Sequence, residues 1–185
     1  IGVGGYCLTK DPLLASWAKT QHFFSKSGLI QSEHGVNVND QMPLFAFHHL
    51  KESFNLDNLG GTNILLLGVS YRSDVGDTRY SPVEPFYNYC KEEGAQISIH
   101  DPYVESWEET KLEVNQNLED VLESVFDLLV ITTAHSEYKK SELIMKALLE
   151  KNNLMIYDTV GVLTDACIDL LSNKHQVKAL GRGDL

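Results

Sequence analysis

The spacing of apolar residues divides the chain near residue 58. Upstream, apolar residues recur three and four apart, the period of a helix face. Leu13, Leu14, Trp17 and Ala18 mark one such face on a helix predicted from Leu8 or Lys10 to Ser25. Gly28 interrupts, and a second helix is predicted over about Asn39–Phe54, with Met42, Phe45, Ala46, His49 and Leu50 in register. Asn58-Leu59-Gly60-Gly61 then breaks the pattern. Downstream, short apolar runs alternate with amphipathic stretches. Asn63–Val69 is a continuous apolar run and reads as a strand buried on both faces. Ser81-Pro82-Val83-Glu84 opens a helix that ends before Gly94. Ser at the cap, Pro after it and Glu three residues on form a capping box. Further strands are predicted at Gln96–His100, Asp127–Thr133, Leu154–Asp158 and Val177–Leu180, with a short one near Lys111–Val114. Helices are predicted at Leu118–Ser124, Ser141–Glu150 and Thr164–Leu171.

This alternation predicts an α/β fold: a doubly wound, mostly parallel, Rossmann-like sheet preceded by a helical segment. The expected division is residues 1–58, a glycine loop with a helical linker, and residues 59–185, the sheet domain. Ligands of such sheets sit beyond the carboxyl ends of the strands. The segments to inspect are therefore Ser70–Arg79, His100–Tyr103, Thr132–Tyr138 and Asp158–Val162. Asp101 stands where a ribose-binding acid would, but Gly68-Val69-Ser70-Tyr71-Arg72-Ser73-Asp74 keeps only the first glycine of a dinucleotide fingerprint. This half is therefore not read as an NAD domain. The long loop carries Arg72 and Arg79 into a helix N-terminus, a setting that can hold phosphate or carboxylate. The competing reading is a solvated loop whose arginines pair with Asp74 and Asp77.

The composition is globular, with 43% hydrophobic and 22% charged residues among 185. A net charge of −11 argues against nucleic acid or an anionic membrane as partner. No apolar run approaches the roughly 18 residues of a membrane span. Three cysteines, Cys7, Cys90 and Cys167, form no close pair. That pattern predicts a reducing, cytoplasmic setting without a disulfide framework or metal cluster. The chain opens at Ile1 directly onto Gly2-Val3-Gly4-Gly5, which we read as the downstream part of a longer protein.

Cys7 follows that glycine loop and stands at or near a helix start, where the dipole favours a thiolate. Lys10 adds positive charge, and Asp11, one turn on, is placed to act as a base or to orient water. The alternative is a buried structural cysteine. Cys90, among Phe86, Tyr87 and Tyr89, and Cys167, beside Ile168, read as core. His135 is the best-placed histidine, at a strand's carboxyl end, and reads as a loop hydrogen-bonder rather than a catalyst. His48 and His49 read as helix-face residues.

Gly2-Val3-Gly4-Gly5-Tyr6-Cys7-Leu8-Thr9-Lys10-Asp11-Pro12 resembles the catalytic-cysteine motif of the UDP-glucose/GDP-mannose (nucleotide-sugar) dehydrogenase family. Asn37–Pro43 resembles the following segment of members acting on UDP-N-acetylhexosamines. Gly68–Pro82 is similar to the signature of the family's UDP-binding domain, and His100–Tyr103, Thr132–His135 and Asp158-Thr159 follow in the family's order. The resemblance implies oxidation of the C6 hydroxymethyl of a UDP-sugar to a carboxylate with two NAD per turnover, in polysaccharide precursor biosynthesis. It implies that Cys7 is the nucleophile of a thiohemiacetal and thioester, with Asp11 assisting hydrolysis. It places Val3, Gly4, Tyr71 and Arg72 at the substrate and Lys10 and Arg79 at the cofactor. It further implies a homodimer built through the helical linker, and an NAD domain supplied elsewhere. The chain departs from the pattern at Thr9, where Pro is usual, at Arg72, where many relatives have Lys, and at Val160, where many have Arg. Two other readings stand beside it. One is a self-sufficient nucleotide-binding and dimerisation module using an aromatic face of Phe45, Phe47 and Phe54. The other is a cysteine hydrolase, for which no histidine partner of Cys7 is designated. An N-acetylhexosamine is the expected sugar, with glucose next.

Overall fold

The computed structural model describes residues 1–139 and 141–184. Two helices come first, α1 (Tyr6–His22) and α2 (Ile30–Ser53). Then come β1 (Asn63–Leu67), α3 (Val83–Glu92), β2 (Gln96–His100), β3 (Ser106–Trp107), β4 (Leu112–Glu113) and α4 (Leu118–Glu123). The chain closes with β5 (Leu128–Ile131), α5 (Glu142–Glu150), β6 (Met155–Asp158), α6 (Asp165–Ser172) and β7 (Gln176–Ala179). Five strands form one parallel sheet in the order β2-β1-β5-β6-β7, while β3 and β4 pair as a separate antiparallel ribbon. The expected α/β doubly wound sheet is present, and all its pairings are parallel.

Alternation along the strands assigns the helices to faces. Ile64 and Leu66 of β1 point into a core shared with α2 and α3, whereas Leu65 and Leu67 point into one shared with α4, α5 and α6. β5 divides in the same way, with Leu128 and Val130 on the first face and Leu129 and Ile131 on the second. β1 and β5 are apolar throughout because both of their faces are covered. The register sets Leu67 beside both His100 and Ile131, and Ile131 beside Asp158. The loops that leave these four strands therefore lie side by side along one rim.

The helical segment departs from expectation. α2 starts at Ile30, nine residues before the predicted Asn39. Its first half carries little apolar periodicity and buries only Val36. Tertiary contacts hold it instead. The Ser16 hydroxyl donates to the Glu33 carboxylate and accepts from the Leu29 N–H at 2.6 Å, and Lys19 Nζ donates to the Gly28 carbonyl at 3.0 Å. The apolar face of α1 is open: Leu13, Leu14 and Trp17 are 43%, 53% and 54% exposed, and only Ser16 is buried in that helix. Conversely, Phe47 and Phe54 are buried under the sheet with Ala46 and Leu50, leaving only Phe45 of the expected aromatic face exposed. The hydrophobic core thus crosses residue 58. The buried Tyr157 hydroxyl on β6 adds a polar tie, donating to the Ala46 carbonyl at 3.1 Å and lying 2.9 Å from His49 Nδ1.

The capping box expected at α3 does not form, and the N-cap is Pro82 rather than Ser81. The Ser81 hydroxyl accepts from the Val83 N–H at 3.3 Å, but the Ser81 N–H goes to the Thr78 carbonyl rather than to Glu84. Cys90 is buried as expected, and burial, with Glu93 nearby, pushes its thiol up to about 12. Cys167 is only half-buried, because Thr164 caps α6 and leaves the first turn of that helix at the surface. Among the described residues no helix is long and apolar enough to cross a membrane.

Leu50 is fully buried between α2 and the sheet. Leu50→Ala is expected to lower the free energy of urea unfolding by about 2–5 kcal/mol. Val125→Ala, at a position 84% exposed after α4, should change it by no more than about 0.5 kcal/mol.

Candidate functional site at the sheet rim

The order β2-β1-β5-β6-β7 reverses direction between β1 and β5. Strand order reversal leaves a crevice at the carboxyl ends, because the two flanking loops depart to opposite faces. The loop after β1 begins at Gly68, with φ 95°, where a Cβ would lie 2.4 Å from Thr133 Cβ. Glycine is required by both the backbone conformation and this approach. Thr132 and Thr133, in the loop after β5, donate their hydroxyls to the carbonyls of Gly68 and Ser70. The two loops are therefore stitched together at the reversal.

Beneath them lies Asp101, fully buried. Its Oδ2 accepts from the Val69 and Ser70 N–H groups, the Ser70 hydroxyl and His135 Nε2, at 2.8, 3.1, 3.0 and 3.1 Å. Its Oδ1 accepts from the Tyr103 N–H at 2.9 Å. Burial pushes the carboxyl upward, and the His135 ring with the Val69 and Tyr103 N–H groups outweighs burial and holds it below the usual carboxylate value. These contacts also settle the dinucleotide question for this sheet. The backbone donors that would face a pyrophosphate are spent on Asp101, and so is the acid that would face a ribose. The first turn does not fit NAD.

A cavity of about 400 Å³ opens above this floor. Ser70, Tyr71, Arg72 and Ser73 line one wall, Thr132–Ala134 and Val160 another, and Ile1, Gly2 and the Pro82–Val83 start of α3 close it. Arg72 has no carboxylate partner among the described residues, whereas Arg79 is bidentate to Asp77 at 2.9 and 2.6 Å. The two readings of the loop arginines thus divide: Arg79 makes the surface pair, and Arg72 faces the cavity.

The glycine segment is threaded between α2 and this loop. Asn39 holds Val3 in both directions, accepting from its N–H at 2.7 Å and donating to its carbonyl at 2.8 Å. A Cβ on Gly4 would lie 2.5 Å from both Tyr71 Cβ and the Tyr80 carbonyl, so no side chain fits. Val3 itself points to a neighbouring hollow of about 310 Å³ shared with Thr9, Asn39 and Tyr80. Cys7 follows as the second residue of α1, with an exposed side chain. Asp11 is one turn on, also exposed, and ion-paired with Lys10 at 3.5 Å. Neither Cys7 nor Asp11 lines the rim cavity. Thr9, the departure from the usual Pro, donates its hydroxyl to the Gly5 carbonyl at 2.7 Å, a bond Pro could not make. Lys10 and Arg79 both approach the Tyr6 ring, at 5.8 and 5.3 Å, each also paired with a carboxylate, Asp11 and Asp77 respectively.

The structure therefore brings Tyr71 and Arg72 together in the cavity, Lys10 and Arg79 together at Tyr6, and Cys7 and Asp11 together on α1. Sequence reasoning missed Ser70, Thr132 and Thr133 as individual lining residues, although hydroxyls just past a strand's end were the available signal. It also missed Asn39 as the clamp on the glycine segment. His135 bonds loops, as expected: the Asp74 N–H donates to its Nδ1 at 2.9 Å.

The model of the UDP-glucose/GDP-mannose dehydrogenase family's UDP-binding domain matches residues 65–165. The chain belongs to that family. The match begins within β1 and ends at α6, so it contains both loops of the crevice. UDP-N-acetyl-D-mannosamine dehydrogenase of Pyrococcus horikoshii is 32% identical over the whole chain and 40% of its own length. The protein of the same name from Methanocaldococcus jannaschii is 31% identical over 88% of the chain and 35% of its own length. The crystal structure of NDP-N-acetyl-D-galactosaminuronic acid dehydrogenase from Methanosarcina mazei Go1 superposes with a TM-score of 0.78 at 29% identity, covering 98% of this chain and 38% of that one. The chain spans about two fifths of the length of these relatives.

Asp101→Asn places an N–H₂ group against donors and is expected to cost about 2–4 kcal/mol of stability at neutral pH. Because the folded value of Asp101 is depressed, its contribution is complete above the unfolded carboxylate value, about 4. It is lost as pH falls through the folded value. Circular dichroism during acid titration should show a shallower acid dependence in Asp101→Asn than in the parent chain.

Proposed function

We propose that the rim cavity holds the uridine diphosphate part of a UDP-sugar, and that this chain supplies the substrate-binding half of an NAD-dependent UDP-sugar 6-dehydrogenase. The observation that carries the reading is Arg72, an unpaired cation facing a cavity at the strand-order reversal, beside the N-terminus of α3. Tyr71 borders the same ligand, and Val3 and Gly4, which lie just outside the cavity lining, act through the segment that Gly4 packs against Tyr71. An N-acetylhexosamine, as in the names of the relatives, is the preferred sugar, and glucose is the second choice.

In this reading the Cys7 sulfur adds to the C6 aldehyde carbon while the carbonyl oxygen takes up a proton, giving a thiohemiacetal. Loss of hydride from that carbon, with release of the hydroxyl proton to water, leaves a thioester. Water adds, the C–S bond breaks, and the carboxylate departs as Cys7 regains its proton. Asp11, one turn from Cys7, accepts the proton of the attacking water. NAD, when bound, accepts a hydride in each of the two oxidations. This sheet does not seat it, so the chain's share in holding it is Lys10 and Arg79 at Tyr6. The setting is cytoplasmic polysaccharide-precursor synthesis, and residues 1–58 and 59–185 serve as the cysteine-bearing linker and the UDP-sugar domain.

Calorimetry of this chain with UDP should give saturable binding, weakened roughly tenfold in Arg72→Ala by loss of a charge-assisted contact. A folded chain that gives no heat with UDP removes the reading. In the protein that includes an NAD domain, Cys7→Ala should abolish formation of the sugar carboxylate and leave UDP-sugar affinity unchanged.

The homodimer contact falls on the open apolar face of α1 and α2, formed by Leu13, Leu14, Trp17 and Phe45. Trp17→Glu should convert a dimer to a monomer in sedimentation velocity. A dimer that survives the substitution refutes this placement.

A further inference from the structure

Two of the ties that hold the loop carrying Tyr71 and Arg72, one at its root and one at its tip, lead to one carboxylate. At its root, the Val69 and Ser70 N–H groups and the Ser70 hydroxyl donate to Asp101 Oδ2. At its tip, the Asp74 N–H donates to His135 Nδ1, while His135 Nε2 lies 3.1 Å from that same Asp101 oxygen. The Asp74 carboxylate returns to the loop after β5, accepting from the Ser136 N–H at 2.7 Å and its hydroxyl at 2.6 Å. Asp74 adopts φ 60°, a left-handed conformation that aspartate enters more readily than most side chains, and the bonds to Ser136 and His135 hold it there.

The ring of His135 is fully buried, packed against the rings of Tyr103 at 5.2 Å and Tyr138 at 5.3 Å. Its two nitrogens have fixed and opposite tasks. A nitrogen that accepts from a backbone N–H carries no proton, so the ring holds its proton on Nε2 and donates it to Asp101. The imidazole thus passes the position of a buried anion to the tip of the loop. Neither His135 nor Asp101 lines the cavity, whereas Tyr71 and Arg72 do.

We propose that His135, oriented by Asp101, is a positioning residue for ligand binding: as the neutral Nε2–H tautomer it latches the 70–79 loop so that Tyr71 and Arg72 face the rim cavity. The inference deepens the UDP-sugar reading and rests on it for the identity of the ligand, but not for the latch.

The test uses this chain, with UDP as probe. Nitrogen-15 spectra of the wild-type imidazole are expected to show a bare Nδ1 and a protonated Nε2. A proton on Nδ1 overturns the proposal. His135→Phe keeps a ring in the site and deletes both bonds. It is expected to speed amide exchange across residues 71–79 by roughly tenfold and to weaken UDP by a similar factor, the scale of one hydrogen bond to a buried group. His135→Asn retains an acceptor at the Nδ1 position and is expected to restore exchange and UDP affinity to within about threefold of wild type. A merely structural role predicts that both variants lose affinity in step with their stability, and that result overturns the proposal. So does a folded His135→Phe with unchanged exchange and affinity. Should His135→Phe not fold, the imidazole spectrum and the His135→Asn comparison decide. If wild-type chain binds no UDP while loop exchange responds as expected, the ligand reading fails and the latch stands.

Discussion

A buried carboxylate at the point where a parallel sheet reverses its strand order organises this molecule. Asp101 has no access to water and must find its partners inside the protein. It takes them from three loops: Val69 and Ser70 after β1, Tyr103 in its own loop, and His135 after β5. Each of those donors would itself be costly to bury unpaired. The group is therefore satisfied as a whole, and it fixes the crevice walls relative to one another.

That arrangement explains why a sheet resembling a dinucleotide fold presents a different site. In a dinucleotide domain the first turn turns its N–H groups outward to phosphate. Here the same groups turn inward to Asp101. What remains outward is a long loop with Tyr71 and Arg72, and a glycine segment packed so closely on Tyr71 that Gly4 has no room for a Cβ. The ligand-facing chemistry has moved from the backbone of a tight turn to the side chains of a loop, which requires that the loop be held. Thr132, Thr133, His135 and Ser136 do so from the neighbouring strand's end.

The helical segment shows how far pattern carries. Periodicity identified the apolar faces of α1 and α2, because side chains three and four apart share a side. It gave no information about what covers each face. Phe47 and Phe54 are covered by this chain's own sheet, while Leu13, Leu14 and Trp17 remain about half exposed. The early start of α2 was hidden for a related reason: the contact between Ser16 and Glu33 joins residues whose meeting depends on the helix hairpin already being formed.

Strands β1 and β5 were legible as unbroken apolar runs, since both of their faces are covered, whereas the edge strands β2 and β7 mix polar and apolar positions. The caps of α5 and α6 were legible as Ser141 and Thr164, because capping is a contact across three residues of chain. Arg72 and Cys7 could be picked out because a strand–loop–helix order and a glycine-rich helix start are local features, whereas Tyr71 came only from the family resemblance. The convergence of Asp101, His135 and Asp74 could not. They lie on loops after different strands, and they meet because β1 is inserted between β2 and β5, an order set by packing helices on both faces of the sheet. Local sequence carries the rise of a strand and the cap of a helix. Which strand ends become neighbours is a property of the assembled core.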